Sequence, residues 1–312
     1  MVERRTLTFS HPQLAGLEHA AFVARGAKEG PSLTLLGGIH GAEYSSIAAV
    51  TRFMNELDTD ELAGTVTAVP VVSMASFRAR SAFVVPADGK NLNRAFPGDP
   101  NGSYSDALAH AIFDELMTPA DFVVDLHGGD LFEALEPFAI YNESDVEDEA
   151  RGMAEAFGLP YVVRERRDDE SLAGMTSTAA ARAGIPAVIA EAGGCGRLEE
   201  AAVQLLTDGV RNVLSHLEML PGPPEPPRAG TRSVGNFVWL RCEHEGWWDS
   251  VVGAGDVVDA GDLFGTIRTL WGDVVEEVRS PAEGVVLFLT TSPAVDADGL
   301  LLGLGTDLTD IA

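Results

Sequence analysis

The stretch Ser32-Leu-Thr-Leu-Leu-Gly-Gly38-Ile39-His40-Gly41-Ala42-Glu43 decides how the chain folds. Residues 32–38 form a short apolar run that ends in two glycines, which reads as a buried strand. Immediately beyond, residues 46–57 place Ile47, Val50, Phe53, Met54 and Leu57 at helical spacing. Strand, glycine turn and helix together make one α/β unit. Outward from it the alternation repeats. Strands are predicted at 65–73, 121–127 (Asp-Phe-Val-Val-Asp-Leu-His) and 186–194 (Pro-Ala-Val-Ile-Ala-Glu-Ala-Gly-Gly). Pro-Phe-Ala-Ile-Tyr-Asn and Pro-Tyr-Val-Val-Arg-Glu add two more. Helices are predicted at 105–116, at 171–184 closed by Gly184, and at 197–220. The pattern predicts a mixed, mostly parallel sheet with helices on both faces. In such sheets ligands bind beyond the carboxyl ends of the strands.

The alternation stops at Pro221-Gly-Pro-Pro-Glu-Pro-Pro-Arg-Ala-Gly230, where four of five prolines stand as Pro-Pro pairs. Such a run favours extended polyproline geometry. It is expected to link a first domain, 1–220, to a second, 231–312. In the second, Val252, Val258 and Leu263 interleave with Gly253, Gly255, Gly261 and Gly265. Short strands between glycine turns predict a small all-β barrel-sandwich. Its turns resemble those of biotinyl and lipoyl carriers. A carrier needs a lysine at a hairpin tip, and this sequence has none after Lys90.

The chain has 312 residues, 46% of them hydrophobic, enough for a real core. Its 48 acidic residues against 21 basic ones give a net charge of −27, which disfavours nucleic acid and anionic membranes as partners. Only Lys28 and Lys90 are lysines; such a bias suits a salt-adapted or GC-rich source. Two cysteines, Cys195 and Cys242, make no disulfide framework. Neither a signal peptide nor a membrane-spanning run is read from the sequence, so a cytoplasmic enzyme is expected. Cys195 is expected to be small, buried and inert. His244, beside Trp247 and Trp248, could line an entrance or sit in a packing cluster.

Several chemistry-bearing groups fall at predicted strand ends. His40 lies just past one strand and Glu43 opens the next helix, so imidazole and carboxylate can converge on one metal ion. The competing reading of such a short motif is chance. His127 closes the strand 121–127, with Asp125 two residues earlier on the same face. His127 can supply a third ligand, and Asp125 can orient an imidazole. The alternative is a lone, satisfied histidine. Glu191 ends an otherwise apolar strand, where a carboxylate is costly to bury without purpose. It can serve as general base, or as a salt-bridged structural acid. Arg78 and Arg80, then Asn91, Asn93 and Arg94, cluster near a glycine turn in a chain short of cations. Arginine forks bind carboxylates and asparagine adds directional hydrogen bonds; the competing reading is surface solubility.

Gly-Gly-Ile-His-Gly-Ala-Glu, Asn-Leu-Asn-Arg-Ala-Phe-Pro-Gly, Asp-Leu-His-Gly-Gly and Ala-Val-Ile-Ala-Glu-Ala-Gly-Gly, in this order, resemble the aspartoacylase/succinylglutamate desuccinylase family. That family is a branch of the carboxypeptidase A-like zinc hydrolases. The resemblance, with the glycine-rich C-terminal segment, spans nearly the whole chain. It implies one Zn2+ per chain held by His40, Glu43 and His127, with Glu191 as catalytic base and then acid. It implies that Asn93 and Arg94 hold the substrate carboxylate, and that Arg80, with Arg78 as rival, polarises the amide carbonyl. It also implies a β domain that borders the entrance and limits substrate size. One position departs: Asn91 stands where relatives carry an aspartate that orients a zinc-bound histidine. Its oxygen can still accept that hydrogen bond, without charge. The expected activity is removal of an acetyl or succinyl group from a small anionic N-acyl amino acid. A metallocarboxypeptidase and a scaffold with an unused site are the alternatives. A homo-oligomer is allowed.

Overall fold

A computed structural model describes residues 1–167, 172–225 and 230–311. Its first nine strands are β1 (Val2–Leu7), β2 (His19–Arg25), β3 (Lys28–Gly37), β4 (Ala63–Val69), β5 (Phe122–His127), β6 (Glu133–Leu135), β7 (Phe138–Asn142), β8 (Tyr161–Glu165) and β9 (Ala187–Glu191). The later strands are β10 (Arg232–Arg241), β11 (Gly246–Ser250), β12 (Val257–Val258), β13 (Leu263–Arg268), β14 (Val274–Arg279), β15 (Gly284–Thr290), β16 (Ala294–Val295) and β17 (Leu300–Asp310). The helices are α1 (Tyr44–Glu56), α2 (Met74–Ala79), α3 (Tyr104–Ile112), α4 (Glu147–Phe157), α5 (Thr176–Arg182) and α6 (Glu200–His216).

One 13-stranded mixed sheet runs in the order β1-β2-β4-β3-β5-β9-β7-β8-β10-β17-β15-β12, with β6 paired to β15. A separate antiparallel sheet, β14-β13-β11-β16, lies in the C-terminal part. At the centre, β4, β3, β5 and β9 are mutually parallel. Strand alternation sends Leu33 and Leu35 into one core with Val50, Phe53 and Met54 of α1, Met153 and Phe157 of α4, and Leu206 and Val210 of α6. Leu36 points the other way, into a core with Leu108 and Ile112 of α3 and Ala179 and Ala180 of α5. Helices therefore cover both faces, as a sheet with two apolar faces requires. The C-terminal part has its own core of Trp248, Phe264, Ile267, Val286, Leu301 and Leu304. Another core joins the two regions: Phe138, Ile140 and Val163 pack against Val234, Val285 and Leu287.

Several elements differ from the sequence pattern in their limits. The strand expected over 65–73 ends at Val69, because Pro70 carries no N–H for the ladder. The helix expected from residue 171 starts at Thr176, whose N–H is held by Asn93 Oδ1 at 3.0 Å. The helix expected to reach residue 220 stops at His216; Glu218, two residues on, has a φ of 57°. The C-terminal chain does not stand wholly apart from the α/β sheet. β10 extends it, pairing parallel with β8 from Arg232↔Tyr161 to Val234↔Val163. Residues 226–229 of the proline-rich run lie outside the described residues. No helix among the described residues is long and apolar enough to cross a membrane.

Candidate active site

Three adjacent parallel strands bring the candidate residues to one edge of the sheet. β3 runs beside β5 with Gly37 opposite Leu126, and β5 runs beside β9 with His127 opposite Glu191. His40 follows β3 by three residues. The turn between them needs Gly38, whose φ is +61° and whose added Cβ would lie 3.0 Å from Ile47 Cγ1. Gly41 packs still closer: a Cβ there would stand 2.1 Å from the Phe77 backbone nitrogen. Glu43 caps α1 through its carbonyl, which accepts from Ser46 Oγ at 2.8 Å. Its side chain is left to turn inward.

Glu43 bridges the two imidazoles. Its Oε1 is 2.6 Å from His40 Nδ1 and its Oε2 is 3.0 Å from His127 Nδ1. The Gly128 N–H also donates to Oε2, at 3.2 Å. The two rings meet edge to face with centroids 5.2 Å apart. Each histidine turns Nδ1 inward and offers Nε2 to an outer oxygen. His127 Nε2 lies 2.9 Å from Asp125 Oδ2, which also accepts from Thr176 Oγ1 at 2.5 Å. His40 Nε2 lies 2.9 Å from Asn91 Oδ1. The Asn93 N–H donates to that same Asn91 atom at 2.8 Å, which identifies it as the oxygen.

One donor atom from each of His40, Glu43 and His127 lies within 4.8 Å of the others, so this group could hold a metal ion. Two ligands on one tetrahedral zinc stand about 3.4 Å apart, given bonds of about 2.1 Å. The two carboxylate–imidazole spacings, 2.6 and 3.0 Å, fall short of that value by less than about 1 Å. Two imidazoles and one carboxylate match the three-ligand set of catalytic zinc sites, and acceptors behind both rings fix the tautomers such binding needs. The residues therefore fit a zinc ion.

The charges around this point are strongly coupled. Burial opposes ionisation of Glu43, but the facing imidazoles of His127 and His40 outweigh it and hold the carboxyl near 2. Burial also opposes protonation of His127, yet the Asp125 and Glu43 carboxylates raise it well above the ordinary imidazole range. These carboxylates together make the pocket one that attracts a cation. Glu191, beside His127, behaves oppositely. Burial lifts its carboxyl to about 7, with His127 pulling in the other direction. It makes no hydrogen bond to any described side chain.

The group opens into a cavity of about 170 Å³. Glu191, Asn93 and Arg94 stand on its wall with His40, Glu43 and His127. Asn93 is buried, and its Oδ1 is occupied by the Thr176 N–H, so its NH2 is the end that can face a ligand. Arg94 Nη1 donates to the Asn93 carbonyl at 2.8 Å. Arg78 and Arg80 are not among the lining residues. Both are exposed at the end of α2, where Arg80 is the left-handed C-cap with φ 54°. His244 is exposed and lies 3.3 Å from Glu276, away from this cavity, while Trp248 is core. Cys195 is half-buried rather than buried, in the loop after Gly194, where its φ is 55°.

Other wall residues carry no sequence signal. Phe83 reaches in from the loop after α2 and Glu133 from the start of β6. Phe237 and Trp239 of β10, Phe288 of β15 and Leu300 form an apolar side. The strand alternation places these last residues on one face, but nothing local says that face meets β7.

Residues 29–217 match the Succinylglutamate desuccinylase/Aspartoacylase catalytic domain. The chain belongs to the succinylglutamate desuccinylase/aspartoacylase family. Among its relatives is the N-alpha-acetyl-L-2,4-diaminobutyric acid deacetylase of Halomonas elongata, 32% identical over 267 residues, which are 83% of this chain and 77% of that protein. The product-bound structure of the ectoine utilization protein EutE (DoeB) from Ruegeria pomeroyi is similar at a TM-score of 0.86 and 26% identity, over 98% of this chain and 95% of that one. The succinylglutamate desuccinylase/aspartoacylase of Rhodobacter sphaeroides shares the fold at a TM-score of 0.85 and 24% identity, over 100% of this chain and 96% of the other. The large mixed sheet, its helices and the separate antiparallel C-terminal sheet are thus features of the family.

Proposed function

We propose that this protein is a zinc-dependent deacylase that hydrolyses the amide of a small N-acyl amino acid. One observation carries the reading. His40, Glu43 and His127 converge at adjacent strand ends, and Glu191 stands next to His127 on the same cavity wall. The relative from Halomonas makes an acetyl group the first acyl candidate.

His40, Glu43 and His127 would hold the ion, each imidazole through Nδ1. Bound zinc supplies Lewis acidity, which makes a water more acidic and draws electron density from an amide carbonyl. Asp125 and Asn91 hold the two rings by accepting from Nε2. Glu191 takes the proton from the attacking water on its carboxylate and then delivers it to the departing nitrogen. A carboxyl lifted by burial suits both halves of that transfer. Arg94 and the Asn93 NH2 bind the substrate carboxylate, which fixes the amide relative to Glu191. The products are a carboxylate from the acyl group and a free amino acid. Arg80 and Arg78 have no part in this scheme, since neither lines the cavity.

The test is metal analysis of purified protein together with a panel of N-acetyl and N-succinyl amino acids and short peptides. Zinc near one per chain and turnover of an N-acyl amino acid, both retained against dialysis, are expected. Peptide cleavage from the carboxyl end without deacylation would refute the proposal in favour of a carboxypeptidase.

A further inference from the structure

Charge on the cavity wall is unevenly divided. Among the described lining residues, Arg94 is the one arginine or lysine, whereas Glu133, Glu165 and Glu191 supply carboxylates beyond the candidate ligand Glu43. One guanidinium matches one substrate carboxylate. With the zinc position given to the reacting amide, a second carboxylate on the substrate would face acids with no further arginine or lysine among the described lining residues to meet it, at the low effective dielectric of a buried site. An ammonium group would meet the opposite situation.

Glu133 is the acid built to receive it. Glu165 is already engaged by other groups. Glu133 is 9% exposed, and its Oε2 accepts from the Asp130 N–H at 2.9 Å. Among the described residues its other carboxylate oxygen has no hydrogen-bond partner and no cation pairs with it. The backbone beneath is clamped. Cys195 N donates to the Glu133 carbonyl at 2.8 Å, and Glu133 pairs with Thr290 of β15. Gly129 and Gly194 pack so closely that an added Cβ would lie 2.3 or 2.2 Å from that carbonyl oxygen. A carboxylate so held and so buried, beside Asp130, Glu43 and Glu191, is pushed well above its usual range, chiefly by burial. An arriving ammonium relieves that. On the same cavity wall, Phe237 and Trp239 pack at a tilt of 47° with centroids 4.6 Å apart, and Trp239 meets Phe288 at 5.8 Å. Aromatic faces also favour a cation.

We propose that Glu133 selects an ammonium group on the substrate, so that the site takes an N-acyl amino acid with one carboxylate and one cationic side chain. N-acyl derivatives of dicarboxylic amino acids are then poor substrates. The assignment rests on the deacylase reading of the same cavity.

The experiment compares zinc-loaded wild type with Glu133→Gln on three substrates. These are N-α-acetyl-2,4-diaminobutyrate, N-acetyl-norvaline, which has a methyl group where the first has its ammonium, and N-acetyl-aspartate. Wild type is expected to prefer the first over both others by at least about tenfold in kcat/KM. Glu133→Gln keeps the acceptor for the Asp130 N–H and is expected to shrink the preference over norvaline roughly 10–100-fold. Calorimetric binding of 2,4-diaminobutyrate itself is expected to weaken by a similar factor. An unchanged preference and unchanged binding in the variant overturn the assignment, as does wild-type turnover of N-acetyl-aspartate equal to that of the diamino substrate. Glu133-dependent binding with no hydrolysis of any N-acyl amino acid upholds the ammonium site and overturns the deacylase reading instead.

Discussion

Asp125→Asn is expected to weaken zinc binding about tenfold while leaving the fold intact. In the wild type, Asp125 Oδ2 accepts from His127 Nε2 at 2.9 Å in a place where both side chains are about 1% exposed. A hydrogen bond to a charged group contributes about 1.5–3 kcal/mol and a neutral one about 0.5–1.5. The swap therefore removes roughly 1–1.5 kcal/mol of support for an imidazole that carries positive charge on binding a metal, which is near tenfold. That sits at the lower end of the 10–100-fold typical for groups that brace metal ligands. The comparison is internal to the site, because His40 already leans on a neutral oxygen, that of Asn91. Asn91→Asp should accordingly move affinity the other way. The assay is competition against a chromogenic chelator of known zinc affinity, with a thermal melt of the metal-free protein as a folding control. Two variants that both stay within twofold of wild type would refute the claim that these oxygens tune the imidazoles.

Glu191→Gln is expected to keep stoichiometric zinc, by elemental analysis, and to lose at least about 100-fold in kcat, the usual scale for a positioned proton-transfer group. Glu133→Gln should raise the thermal midpoint at pH 8 relative to wild type but not at pH 4. The folded pKa of Glu133 lies above its unfolded value, so the stability it contributes is present below the unfolded pKa and lost as pH rises through the folded one. Salt should lower the KM for N-acetyl-aspartate, because screening relieves repulsion by a net charge of −27, yet leave the KM for the net-neutral N-α-acetyl-2,4-diaminobutyrate nearly unchanged between 0.05 and ~0.5 M. Gly38→Ala should cost about 1–2 kcal/mol in denaturant unfolding, since alanine must take a left-handed φ at a turn that is also tight.

What could be read from residues alone was whatever is periodic or local. The apolar runs before Gly37, His127 and Glu191 announce buried strands, because parallel strands covered on both faces tolerate few polar residues. The helical spacing of Val50, Phe53 and Met54 announces α1. Strand ends next to glycines then mark where polar groups can gather, and those groups are His40, Glu43, His127 and Glu191. Such inferences need only the chain within a few residues of each point.

Contacts between distant strands lay beyond that reach. That β10 adds to β8, and so carries Phe237 and Trp239 to the cavity beside Phe138, follows from packing across some 70 residues of sequence. The position of Glu133 depends on β6 finding β15 and on the loop after β9 clamping its carbonyl. The arginines mislead for the same reason. Arg78, Arg80 and Arg94 all stand out in a chain poor in cations, and only long-range packing sets Arg94 on the cavity wall and leaves the other two exposed at the end of α2. Local sequence specifies which groups are capable of chemistry, because strand and helix preferences act over a few residues. Which of them share a cavity is a property of long-range packing, where each contact is weak and only the sum over the whole sheet is decisive.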